Sequence, residues 1–242
     1  MNTNAPLSHR FTVLWFLSTL APALIYVACL YVLAPYMADS LWARIAALLP
    51  VPIWLLVGVF QFLLLRSRLR HALVWVVATF VGGVVGHFVG GLSRIHTEPY
   101  VEELLLRREL ISEPVPAWVS DVYSLAPLLV ASVINLAIVA ILQSFCFDKA
   151  MKGRAVWILA SILASIVSLV CGAFLGWNLL QFLMATGLGE IALRWLPVTL
   201  MSMSIVPIIN FAIYGLITGA VMRWLMNRRT LRQTQTVAGQ FD

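Results

Sequence analysis

Six stretches of this chain run almost without charge for about the length a helix needs to cross a lipid bilayer: residues 11–34, 45–65, 72–92, 122–145, 155–179 and 198–225. A hydrocarbon core of about 30 Å takes roughly 20 apolar residues in helical form. Segments of about 10 residues with alternating polarity, the mark of a membrane β-barrel, are absent, so the spans are expected to be helices. Composition agrees. Hydrophobic residues make up 62% of the 242-residue chain and charged residues 11%, against about a quarter charged in a soluble domain. The expected fold class is an all-α integral membrane protein of six transmembrane helices, forming one polytopic domain over 1–242. Between spans three and four lies the outer loop, 93–121, where Pro99, Pro114 and Pro116 predict loop and one short interfacial helix. Tyr100, Val101, Leu104, Leu105 and Ile111 would form its apolar face, with Trp118 anchoring its far end.

The net charge of +6 is distributed for topology rather than for nucleic acid. Arg10, Arg66, Arg68, Arg70, Lys149, Lys152, Arg154, Arg223, Arg228, Arg229 and Arg232 fall on one side. Arg44, Arg94, Arg107, Arg108 and Arg194 fall on the other, diluted by the acids of the outer loop. The positive-inside rule places both termini in the cytoplasm and the chain in the inner, cytoplasmic membrane. The basic residues then face anionic lipid, and membrane lipids and other membrane subunits are the expected partners. Cys29, Cys146 and Cys171 form no CxxC pair and read as small packing residues, with no metal site. Tyr26-Val-Ala-Cys29 resembles a lipoprotein cleavage box, but its apolar run continues to Ala34, so it is read as part of a span.

An internal repeat runs through the spans. GVFQFLLLR (58–66), AILQSFCFD (140–148) and GLITGAVMR (215–223) align without a gap. In each, a small residue is followed three positions later by Gln61, Gln143 or Thr218, and five further on by a charge. Upstream, the hexapeptide from Asn135 matches that from Asn210, and Pro50 and Pro207 each lie eight residues before their small residue. The odd spans begin with a base and then a tryptophan: Arg10 and Trp15, Arg70 and Trp75, Arg154 and Trp157. These tryptophans are expected to anchor the helices at the cytoplasmic interface. The pattern predicts three helical hairpins related by a pseudo-threefold axis along the membrane normal.

The G-x-x-Q-x-x-x-x-R helix end, followed by tryptophan and a glycine-rich helix, resembles a loosely defined set of uncharacterised bacterial multi-pass membrane proteins, over residues 58–91 and 140–176. That resemblance implies architecture only. Three two-helix repeats are also similar to mitochondrial carriers, but the P-x-[DE]-x-x-[KR] motif of carrier odd helices is absent.

Within the third span, FVGGVVGHFVGG (80–91) sets Gly82, Gly86 and Gly90 in one small-xxx-small stripe and Gly83, His87 and Gly91 in a second, rotated by about 100°. In lipid, helices associate through close backbone packing, which glycine permits. Span five, with Ser161, Ser165, Ser168, Gly172 and Gly176, and span six, with Gly215 and Gly219, are the expected partner surfaces. His87 reads as a hydrogen-bonding partner within the bundle. A sharper reading makes it the single axial ligand of a tetrapyrrole, since His9, His71 and His96 all lie at or beyond span ends. No cofactor is otherwise predicted.

Gln61, Gln143, Asn135 and Asn210 are the other polar residues well inside spans, and are expected to face a shared centre as interhelical partners or a solute path. No Asp, Glu, Lys or Arg sits mid-span, which disfavours proton- or ion-driven transport. Glu102, Glu103 and Arg107 fit the EExxxR motif of CAAX-type intramembrane proteases, but no histidine follows His96 to complete such a site. Rhomboid, zincin and P-loop patterns are absent, and no catalytic residues are assigned. The expected function is a non-enzymatic accessory or assembly subunit of a larger membrane complex; the alternative is a small-solute transporter or membrane substrate-binding component.

Overall fold

The computed structural model describes residues 7–36, 41, 48–69, 71–111, 117–147, 153–186 and 198–238. The regular structure there is helical: α1 (His9–Leu33), α2 (Pro50–Leu65), α3 (Ala72–Ile111), α4 (Ala117–Ser144), α5 (Arg154–Ala185) and α6 (Val198–Ala238), with a single 3-10 turn after α1. Each helix packs on its neighbours in the chain, and α6 returns to pack on α1, so the six close into a ring in sequence order. The start of α1, the α2–α3 and α4–α5 connections and the latter half of α6 gather at one end of the bundle.

Five helices are long and apolar enough to cross a membrane, and α2 is a shorter apolar helix. Its 16 residues would rise about 24 Å, short of a hydrocarbon core of about 30 Å. The second predicted span began at Ile45, and residues 42–47 lie outside the described residues. Where α2 begins, Pro50 sits in the first turn, where its missing N–H costs nothing.

Aliphatic side chains cover much of the outside of the bundle, and small polar ones are among those buried. On α1, Trp15, Ser18, Thr19 and Pro22 are buried, while Val13, Leu14, Leu17 and Leu24 are exposed. The same holds on α5, where Ser161, Ser165 and Ser168 are buried and Leu159, Leu163, Val167 and Val170 are exposed. An exposed aliphatic surface of this extent, seen on α1, α3 and α5, is unstable in water and suited to lipid, where small polar side chains serve as interhelical partners.

The region between spans three and four differs from expectation. Instead of a loop with one short helix over 93–121, α3 continues through Pro99 to Ile111 and α4 begins at Ala117. A proline inside a helix removes one hydrogen bond, yet around it the local geometry is well supplied. Thr97 Oγ1 bonds back to Ser93 O at 2.9 Å, and Arg94 pairs with Glu98 one turn on. Tyr100 is exposed on this extension, while the side chains of Leu104, Leu105, Ile111 and Trp118 lie outside the described residues.

Candidate functional site

Trp15, Trp75 and Trp157, placed by the repeat on α1, α3 and α5, do not anchor the helices at an interface. They are 0%, 0% and 1% exposed and meet in the middle of the ring. Their ring centroids lie 5.9 Å (Trp15–Trp75), 6.2 Å (Trp15–Trp157) and 5.6 Å (Trp75–Trp157) apart, tilted or edge to face. Such geometry suits the quadrupole of the indole and adds about 0.5–1.5 kcal/mol per pair beyond area burial. An indole can serve at a headgroup interface or in a core, provided its N–H finds an acceptor, and here the bundle supplies acceptors.

Those acceptors are the polar residues the repeat sets on the even helices. Trp75 Nε1 donates to Gln61 Oε1 at 2.9 Å, joining α3 to α2. Trp15 Nε1 donates to Thr218 Oγ1 at 3.2 Å, joining α1 to α6. Gln143, the third of the set, donates from Nε2 to Thr79 Oγ1 at 2.8 Å, joining α4 to α3. The hydroxyls one turn beyond two of the tryptophans bond back to the helix, Thr19 to Trp15 O and Thr79 to Trp75 O. Ser161 stands at the corresponding position after Trp157 and is fully buried. Thr19 and Thr79 were missed in the sequence, and Ser161 was read only as a packing residue, although W-x-x-x-[ST] in all three odd spans was there to be read.

Toward the end where Leu7 meets Asn227 of α6, the triad is capped by Leu65, Phe147 and Met222, each four residues past Gln61, Gln143 or Thr218 and at most 1% exposed. Phe147 packs at 6.0 Å on both Trp75 and Trp157, and Phe11 at 5.8 Å on Trp15. Beside Phe147, burial pushes the Cys146 thiol up to about 11. Since the thiolate is the nucleophile, Cys146 will resist maleimide in the folded protein at pH 7 and label rapidly once the protein is unfolded. Equal labelling before and after unfolding, read by mass spectrometry, would refute this burial.

The small residues before the polar set also make matching contacts. A Cβ added to Gly58 would lie 3.2 Å from Val76 Cα and 3.3 Å from Thr79 Cβ; one on Gly215 would lie 3.4 Å from Phe16 Cα and 3.0 Å from Thr19 Cβ. Val76 and Phe16 each follow their tryptophan directly. Gly219 approaches Trp15 itself.

The glycine stripe of the third span has a different partner from the one expected. Gly82, Gly86 and Gly90 face Val139, Asn135 and Ala131 of α4, with an added Cβ 2.9 Å, 2.8 Å and 2.7 Å from backbone atoms there. Spans five and six were expected, but the ring sets α3 between α2 and α4. Gly172 and Gly176 of α5 face Asn210 and Val206 of α6, and Gly215 and Gly219 of α6 face α1. In the second stripe Gly83 abuts the Trp54 indole of α2, and Gly91 has nothing within 4 Å.

Asn135 and Asn210 thus sit on helix–helix contacts facing glycines, apart from the tryptophans, rather than with Gln61 and Gln143 at one centre. Asn135 Oδ1 is buried without a hydrogen-bond partner among the described residues. His87 is half-buried, with its ring 5.8 Å from that of Phe88. Among the described residues no group of His, Cys, Asp or Glu is arranged to hold a metal. The side chains of Glu102 and Arg107 lie outside the described residues. His96, about two turns before the last described side chain of α3, is exposed.

Substituting Trp75 by Phe keeps most of the packing and removes the N–H, leaving Gln61 Oε1 buried without its donor. That should cost about 1–3 kcal/mol. The double variant Trp75→Phe/Gln61→Leu should recover most of the loss, because removing both partners is nearly neutral. Unfolding in detergent micelles measures both, and additive losses would deny the bond its role.

Comparison with known protein families, with curated proteins and with solved structures finds no match.

Proposed function

We propose that this chain is a non-enzymatic integral membrane subunit that packs into a larger complex of the inner, cytoplasmic membrane, with six spans and both termini in the cytoplasm. Its ring is read as three helical hairpins about a pseudo-threefold axis, α1–α2, α3–α4 and α5–α6. The matching W-x-x-x-[ST] positions, the matching Gly58 and Gly215 contacts and the common cap of Leu65, Phe147 and Met222 support that symmetry. On this reading α2 spans together with the residues before Pro50.

One observation carries the assembly role. The centre of the ring is filled by three fully buried tryptophans, and among the described residues no charged side chain is fully buried. A carrier that couples to ions or protons ordinarily keeps a charged or titratable group in its path. A bundle whose axis is closed by indoles, and whose glycines bring its helices together, is built to hold a shape. Lipid and neighbouring membrane subunits are its partners, and it works without a cofactor; a tetrapyrrole on His87 would have only a half-buried ring beside Phe88 to hold it.

A small-solute transporter or substrate-binding component is the second reading. It is favoured by the far half of the ring, where residues 131–135 of α4 and 205–213 of α6 are half-buried on all faces and carry Asn135 and Asn210. Mass spectrometry of the intact assembly, purified in mild detergent from its native membrane, tests the two. Stoichiometric membrane subunits are expected. A lone chain, or one accompanied only by an ATPase and a coupling subunit, would overturn the assembly role in favour of transport.

A further inference from the structure

Among the described residues, two of the three core tryptophans have an acceptor for their N–H and the third does not. Trp157 stands 14 residues after Gln143, as Trp75 stands 14 after Gln61. The Trp75–Gln61 bond forms, but Trp157 Nε1, Gln143 Oε1 and Ser161 Oγ are all buried without a hydrogen-bond partner among the described residues. The three residues are 1%, 3% and 0% exposed.

The chemistry of Thr79 fixes which way the Gln143 amide lies. The Thr79 hydroxyl spends its proton on Trp75 O at 2.7 Å, so toward Gln143 it can only accept. Gln143 must therefore offer Nε2 and keep Oε1 as a free acceptor. Trp157 Nε1 can only donate. Ser161, unlike Thr19 and Thr79, does not bond back to the carbonyl one turn before it; its hydroxyl lies beside that of Tyr214 on α6. Its rotor can serve as donor or acceptor.

We propose that this corner of the ring, between α4, α5 and α6, is a binding site for one small neutral molecule that both donates and accepts hydrogen bonds. Water is the simplest occupant, and a solute with a hydroxyl or amide has the same chemistry. The occupant accepts from Trp157 Nε1, donates to Gln143 Oε1 and shares a bond with Ser161 Oγ. Buried waters usually satisfy about three such groups. No charge faces the site within this set, so an ionic ligand is not matched. The site is independent of the assembly role, since one is read from local hydrogen bonding and the other from subunit composition.

The test is a structure of the full chain in lipid nanodiscs, at a resolution that shows ordered water, prepared with and without glycerol. Compact density bridging Trp157 Nε1 and Gln143 Oε1 in both samples supports a resident water. Density that grows to the size of glycerol only when glycerol is supplied supports a solute site. Gln143 turned so that Oε1 meets Trp157 Nε1 directly, with nothing between, overturns the proposal.

A second measurement needs no coordinates. With 15N-labelled tryptophan, the Trp157 indole proton should show a magnetisation-transfer peak to water or glycerol, several-fold stronger than that of Trp75. Ser161→Ala, the mildest change, should weaken it while the protein stays folded. Absence of the peak for both indoles overturns the site.

Discussion

Replacing Trp75 by alanine is expected to destabilise the folded protein by about 3–5 kcal/mol, the usual cost of truncating a fully buried large aromatic. Trp75 touches Trp15, Trp157 and Phe147, with centroids 5.6–6.0 Å apart, and holds Gln61 through its N–H. Alanine removes all three ring contacts, leaves the Gln61 carbonyl unpaired and opens a cavity that three other helices line. The exposed Trp177, 55% accessible on α5, provides the control: Trp177→Ala should change stability by much less than 1 kcal/mol, the usual range for a surface position. Thermal or denaturant unfolding in one detergent, read by circular dichroism, compares the two directly. Equal effects would mean that the triad is not a structural centre.

Gly86→Leu should abolish the folded bundle. A Cβ at this position already falls 2.8 Å from Asn135 Cα and 2.8 Å from Asn135 O, a backbone that cannot rotate away. Alanine alone forces α3 and α4 apart, an overpacking cost of about 1–3 kcal/mol. Leucine adds three more carbons along the most extensive helix pair in the ring. Since helices in lipid gain little from hydrophobicity between them, separation removes the contact without compensation. Gly91→Leu, one turn and one residue further along α3 where nothing lies within 4 Å, should be tolerated, and His87→Ala should disturb folding far less than Gly86→Leu. Size-exclusion profiles of fluorescently tagged variants give the ranking. A folded, abundant Gly86→Leu protein would mean that α3 and α4 do not pack at this distance.

The helices were legible because lipid leaves the backbone no alternative, and an apolar run of sufficient length identifies its own secondary structure. The run from Ala72 shows the limit of that logic. Its apolar part was read well, but the span was ended at Leu92 and Pro99 was taken as a mark of loop, whereas the helix passes through it to Ile111. Proline costs one hydrogen bond inside a helix, and a single lost bond does not stop a helix whose other groups are satisfied. The short α2 shows the converse, since apolar composition from Ile45 says nothing of where the first turn forms, and Pro50 supplied that signal.

The site was half legible. Spacing alone brought out Gln61, Gln143 and Thr218 as one set and Trp15, Trp75 and Trp157 as another, and Gly82, Gly86 and Gly90 as one face. A period marks which residues share a face; it carries no information about what that face meets. An indole satisfies its N–H equally well from headgroups or from a glutamine, so the same three tryptophans are consistent with an interfacial belt or a buried core. Only the closing of α6 on α1 turned α1, α3 and α5 inward together and made the indoles the centre. The ring likewise gave the glycine stripe of α3 to α4, because sequence neighbours joined by short connections pack before distant helices can. What the chain determined by itself was the set of helices and the residues able to approach closely; which of them meet, and which polar atoms at Trp157 are left without a partner among the described residues, was decided by tertiary packing, where each contact depends on two faces at once.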